Sequence, residues 1–252
     1  MLILLSPAKT MDFKSKVSVS DNTTPIYIKE ANKIASTLKK LNPSQIGKLM
    51  EINSKLAYLN YERFQSWSNQ DAPQKQAILS YKGEVYNGLK ANEWSSDDLV
   101  YSNEHIRILS GMYGILRPLD MIKPYRLEMG TRISIEKSED LYTFWEEKVS
   151  KSLQDDIISN KHKYIINLAS REYSNVINLK SLGVKIITPI FKEYRNGSYR
   201  FITVYGKNAR GAMTRWIIRN RIQDLEALKT FEDSGYLFNQ ELSNSDKWCY
   251  TR

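Results

Sequence analysis

The chain has 252 residues, 41% apolar and 26% charged, which excludes a disordered protein and suffices for one large core or two modest ones. Lysine and arginine number 37 against 28 acids, and the net charge of +9 favours an anionic partner (nucleic acid, nucleotide or acidic membrane surface), the plain alternative being a basic protein with no such partner. A single cysteine, Cys249, excludes an internal disulfide framework, and no apolar run approaches the roughly 18 residues that a spanning helix needs.

In chain order, Leu2-Ile3-Leu4-Leu5 predicts a short strand buried on both faces. It lacks a basic flank and stops at Ser6-Pro7, too early for a signal peptide, so a cytoplasmic protein is expected. Residues 14–25 are polar and predict an exposed loop. A helix follows from Ile28 to Lys40. Asn42 as N-cap, Pro43 at the first helical position and Gln45 completing a capping box restart the chain, with Ile46, Leu49, Met50, Leu56 and Ala57 as the apolar face of a second helix. Short helices are expected near Gln74–Leu79 and over Ser96–Leu109, where Asp97 and Asp98 suit the helix dipole. Glu139–Leu153 predicts an amphipathic helix. The second half changes character: Tyr164–Leu168 predicts a strand, Ala169-Ser170 leads to a short helix, and Val184–Tyr194 and Tyr199–Tyr205 predict strands around the hairpin turn Asn196-Gly197. A basic helix over Asn208–Ile222 and strands near Tyr236–Phe238 and Lys247–Tyr250 complete the chain. With no repeat and no linker, residues 1–252 predict a single α/β domain (α+β mixed) with a mixed sheet and flanking helices.

Residues 105–132 set Arg107, Arg117, Lys123, Arg126 and Arg132 among Gly111, Gly114, Gly130, Pro118 and Pro124. That mixture predicts a loop bringing guanidinium groups and bare backbone to an anion; the structural alternative is that its arginines pair with carboxylates such as Asp120 and Glu128. In the basic helix, Met213, Trp216 and Ile217 share one face and Arg215 and Arg219 the opposite side, with Arg210 and Arg221 at its flanks and Lys207 before them. This face binds phosphates or is simply solvated. Tyr81 and Tyr86 read equally as base-stacking platforms or core residues. Lys9 follows a strand but lacks the glycine framework of a nucleoside-triphosphate loop. His105 and His162 have no metal-ligand spacing, no nucleophile elbow is present, and Cys249 reads as a packing residue. No metal or other cofactor is predicted.

Several blocks in order resemble the YaaA family of bacterial peroxide-stress proteins: Ser6-Pro7-Ala8-Lys9-Thr10-Met11-Asp12, residues 81–89 and 109–120, Pro124-Tyr125-Arg126-Leu127-Glu128-Met129-Gly130, Asn167-Leu168-Ala169-Ser170 and Ala209-Arg210-Gly211-Ala212-Met213. The resemblance implies a cytosolic protein that helps cells survive hydrogen peroxide and limits free intracellular iron. It also implies one compact α/β fold with a positively charged cleft and a helix-hairpin-helix element associated with DNA. The expected hairpin is the junction between Lys40 and Pro43, although Asn42–Gly47 has one glycine and Pro43 lacks an amide.

The resulting expectation is a monomeric, non-enzymatic DNA-binding protein, for duplex or distorted DNA, without membrane contact. Lys9, Arg107, Arg117, Arg126, Arg132, Lys207, Arg210, Arg215 and Arg219 would line its cleft, with Lys48 and Lys55 contributing from the hairpin region. The alternative is an enzyme acting on a nucleotide or phosphorylated small molecule between the Arg107–Arg132 segment, the Lys9 turn and the Asn167–Ser170 turn. Glu128 or Asp12 would then transfer the proton. Direct iron sequestration fits the ligand inventory least.

Overall fold

A computed structural model describes residues 1–15 and 19–252; residues 16–18 of the expected 14–25 loop lie outside the described residues. The first half runs β1 (Leu2–Leu5), β2 (Thr10–Met11), α1 (Ile28–Lys39), α2 (Pro43–Met50), α3 (Ser54–Gln65), β3 (Lys75–Gln76), α4 (Ala77–Ser80), β4 (Tyr81–Lys82), α5 (Glu84–Leu89), α6 (Ser96–His105), β5 (Ile106–Ser110), β6 (Gly114–Leu116) and β7 (Met121–Ile122). The second runs α7 (Leu141–Ser159), β8 (Tyr164–Asn167), α8 (Arg171–Ser174), β9 (Lys185–Arg195), β10 (Ser198–Arg200), α9 (Thr203–Arg219), β11 (Leu237–Asn239) and β12 (Lys247–Thr251).

The sheet order is β11-β12-β9-β8-β1-β5-β6, with β10 on β9. β1 is parallel to both β5 and β8, β8 to β9 and β9 to β12, while β6, β10 and β11 pair antiparallel. Leu2 to Leu5 are inaccessible to solvent, as an apolar run covered on both faces requires. The result is the expected single α/β domain with a mixed sheet. No helix among the described residues is long and apolar enough to cross a membrane.

Local chemistry explains most boundaries. The Asn42 side chain accepts from the Gln45 amide at 2.9 Å while the Gln45 side chain accepts from the Asn42 amide at 2.9 Å, completing the capping box. Asn196 and Gly197 both hold positive φ, 52° and 79°, as the two-residue hairpin between β9 and β10 demands.

Other expectations are corrected. The second helix is two: Glu51 turns left-handed at φ 52°, and the Asn53 side chain caps the Leu56 amide at 3.0 Å to start α3. α2 and α3 pack closely, a Cβ on Gly47 falling 3.4 Å from the Ala57 Cβ. The helix expected to reach Leu109 ends at His105, because Ile106–Ser110 is wholly buried as β5, a short Ile-Arg-Ile-Leu-Ser segment whose pattern does not distinguish strand from helix. Thus the first part of the expected 105–132 loop is a β5–β6 hairpin within the sheet. Lys75–Gln76 is a strand, and α9 begins at Thr203, leaving β10 shorter than expected.

α5 and α9 meet through glycines. A Cβ on Gly211 would lie 1.8 Å from the Val85 carbonyl oxygen, and one on Gly88 2.0 Å from that of Asn208. The backbones touch, so Gly211→Ala forces the helices apart. It is expected to cost about 3 kcal/mol, read as a lowered urea midpoint.

Candidate functional site

β1 and β8 lie side by side, but the chain leaving β1 crosses to β5 on one flank and the chain leaving β8 crosses to β9 on the other. In an open parallel sheet this reversal opens a crevice at the carboxyl ends of the strands, where ligands bind. Ser6 follows β1 and Ser170 follows β8. The Ser170 amide donates to the Ser6 hydroxyl at 2.8 Å, the two hydroxyls are 3.2 Å apart, and Tyr86 donates to the Ser6 carbonyl at 3.1 Å.

The segment after Pro124 adds charge. Lys9 and Arg126 grip opposite oxygens of Glu128, at 2.6 and 3.1 Å, while Glu172 accepts from the Gly130 amide at 3.2 Å. Gly111 permits this crossing, since a Cβ there would sit 2.6 Å from the Leu127 carbonyl oxygen. Beneath runs a chain of hydroxyls: Ser110 to Tyr125 at 2.6 Å and Tyr125 to Tyr81 at 2.6 Å. Ser110 already accepts from the Met112 and Tyr113 amides, so its one proton goes to Tyr125, which shares a further hydrogen bond with Tyr81. Burial pushes Tyr125 up to about 12 and Tyr81 well above the usual phenol range, so both stay neutral and act as hydrogen-bond links. The arrangement can hold an anion against Lys9 and Arg126, with Glu128 as the carboxylate it must displace or use.

The expected basic residues divide sharply. Arg107 is 3% exposed, points into the fold from β5, and donates from Nε to Asp156 at 2.6 Å, with Nη2 on the other carboxylate oxygen and Nη1 on the Asn103 and Ile106 carbonyls. Arg117 caps the buried Asp120, with Nε at 3.1 Å and Nη2 at 2.9 Å, and also reaches the Thr24 carbonyl. Arg215 is drawn to the α5 terminus, donating to the Gly88 carbonyl at 2.7 Å and to Asp233 at 2.6 Å. These three are matched structural cations. Lys48, Lys55, Arg132, Lys207 and Arg219 are exposed. Arg210 is half-buried; its Nε, like that of Arg126, is buried without an acceptor among the described residues, and desolvation lowers its pKa. The structure therefore brings Lys9 and Arg126 together at the crevice, and sets Lys48 and Lys55 on either side of the α2–α3 turn.

Both histidines lie at the opposite end of β1, His105 Nδ1 3.0 Å from the Met1 carbonyl and His162 Nδ1 3.2 Å from the Met1 amine. Burial lowers both, His162 to about 4. Among the described residues no group of three or more His, Cys, Asp or Glu is placed to hold a metal. Sequence reasoning missed Glu172, whose only signal is its place in the first turn after Ser170, and Lys75, which has none.

A family model described as "Peroxide stress protein YaaA" matches residues 1–242. The chain belongs to the YaaA family. Among curated relatives, the UPF0246 protein of Clostridium beijerinckii is 45% identical over 254 residues, covering 100% of this chain and 98% of the relative. That of Ralstonia nicotianae is 43% identical, covering 100% and 99%. That of Teredinibacter turnerae is also 43% identical, with the same coverage. Membership supports a peroxide-stress role.

Because Arg107 neutralises Asp156 inside the fold, Arg107→Ala strands a carboxylate. It is expected to cost about 3–5 kcal/mol in chemical denaturation, whereas Arg219→Ala stays within about 0.5 kcal/mol.

Proposed function

We propose that this YaaA-family protein acts in the cytoplasm as a monomer that binds DNA during peroxide stress, and that occupancy of DNA limits the damage done by free iron. The observation that carries this reading is the helical hairpin α2–α3. Its turn is tight, the Ile52 amide donating to the Gly47 carbonyl at 3.0 Å, and exposed Lys48 and Lys55 stand on either side of it. Asn53 caps only the Leu56 amide within the first turn of α3, so the Ser54 and Lys55 amides are left without a partner among the described residues at the helix start. That combination suits a phosphate better than the Lys40–Pro43 junction, where proline removes a donor. Arg132, Lys207, Arg210 and Arg219 extend the set of available cations; Arg107, Arg117 and Arg215 contribute stability instead.

A second reading, turnover of a nucleotide or phosphorylated compound, is favoured by Glu128 held between Lys9 and Arg126 at the sheet's switch point. An ion pair of that kind opens to an incoming phosphate and leaves a carboxylate beside it.

Phosphate contacts make log K fall by roughly 0.9 per neutralised phosphate for each unit of log salt. The double variant Lys48→Ala/Lys55→Ala is expected to make the slope of a duplex mobility titration shallower by about 2, with unchanged thermal stability. An unaltered slope, or binding indifferent to salt, overturns the proposal.

A further inference from the structure

A cavity of about 540 Å³ lies beside the β2–β4 pair, under α5 and the Ala91–Glu93 turn. Its volume falls within the roughly 300–1,000 Å³ usual for small-molecule sites. No part of the DNA reading uses it. Asp12, Lys75 and Lys82 supply its charge; Tyr81, Tyr86 and Trp94 supply aromatic surface.

The charges do not balance. Asp12 is saturated: Oδ1 accepts from the Lys14 and Ser15 amides at 2.9 and 3.2 Å, and Oδ2 from the Ser15 hydroxyl at 2.5 Å and Lys82 Nζ at 3.0 Å. It serves Lys82. Lys75 is only 5% exposed, yet among the described residues its ammonium makes one hydrogen bond, to the Ser15 carbonyl at 3.1 Å, and meets no carboxylate. A buried ammonium with no carboxylate in contact is costly: burial lowers the Lys75 pKa, and the nearby charge of Asp12, itself engaged by Lys82, offsets only part of that. An anion bound in the cavity would repay that cost, which gives the lysine a reason to be there.

The walls select the rest of the ligand. The Tyr81 and Tyr86 rings are 5.3 Å apart and tilted by 41°, their hydroxyls engaged on Tyr125 and the Ser6 carbonyl, so their faces supply the non-polar surface. The Trp94 indole N–H is likewise committed to the Leu89 carbonyl at 3.2 Å. What remains is planar apolar surface beside a cation, with the exposed Asn92 amide at the rim. Phosphate alone leaves most of this volume empty.

We propose that the cavity binds a nucleoside monophosphate, its phosphate on Lys75 and Lys82 and its base against Tyr81, Tyr86 and Trp94. The site shares Tyr81 and Tyr86 with the crevice but neither Lys48 nor Lys55, so it stands or falls apart from DNA binding.

The test is a thermal-shift and calorimetric titration of the full chain with AMP, GMP, CMP and UMP, beside inorganic phosphate and benzoate. At least one nucleotide is expected to raise Tm and bind at least tenfold more tightly than phosphate or benzoate. Lys75→Gln and the more exposed Lys82→Gln should each weaken it tenfold or more, while Lys48→Ala leaves it unchanged. Should Lys75→Gln fail to fold, Lys82→Gln alone decides. No shift with any nucleotide, equal binding of phosphate or benzoate, or undiminished binding by Lys82→Gln overturns the proposal.

Discussion

Leu2 to Leu5 have no face left for solvent, and that single constraint organises the molecule. A strand apolar on both sides has to lie inside a sheet, with parallel neighbours and layers above and below it. β5 on one flank and β8 on the other supply this, and in the observed order the chain goes on from β1 to β5 on one side and from β8 to β9 on the other. The crevice is a consequence of that reversal. Ser6 and Ser170 meet there because they are the first polar residues after two adjacent strands, and Lys9 arrives on the same turn. Burial of a short apolar run thus determines where polar chemistry can gather.

Charge matching does the second sorting. A guanidinium withdrawn from water must find a carboxylate and enough acceptors for its remaining protons. Arg107 does so on Asp156 and two carbonyls, Arg117 on Asp120, and Arg215 on Asp233 and Gly88. Each is thereby removed from the pool that can meet an external anion. The cations that stay exposed stand on outward helix faces, helix ends and loops, where hydration makes pairing unnecessary. Between these extremes sit Lys9 and Arg126, sharing Glu128, and Lys75, desolvated and in salt-bridge contact with no carboxylate among the described residues.

Features carried by neighbouring residues were legible in the sequence. Asn42, Pro43 and Gln45 announce a helix start because the capping box is local, and Asn196-Gly197 announces a hairpin because the turn needs positive φ at both residues. The family resemblance rested on blocks spread along the whole chain, of which residues 6–12, 124–130 and 167–170 meet at the crevice, and the alternative in which loop arginines pair with Asp120 and Glu128 describes Arg117 and Arg126 as they stand. Features decided by distant partners were not legible. Ile106–Ser110 becomes a strand because β1 lies beside it, and Arg107 turns inward because Asp156, on α7, waits there. The close approach of α5 and α9 depends on Gly88 and Gly211 facing each other across the fold, and nothing around Lys75 marks it as buried.

The claim at the centre is the division of basic side chains into those already matched and those available to DNA. Residue-resolved chemical modification of lysine and arginine, followed by mass spectrometry with and without duplex DNA, tests it directly. The account predicts that Arg107 resists modification in both conditions, whereas Lys48, Lys55 and Arg132 react in free protein and are shielded by DNA. Ready modification of Arg107, or equal reactivity of Lys48 and Lys55 with and without DNA, would contradict it.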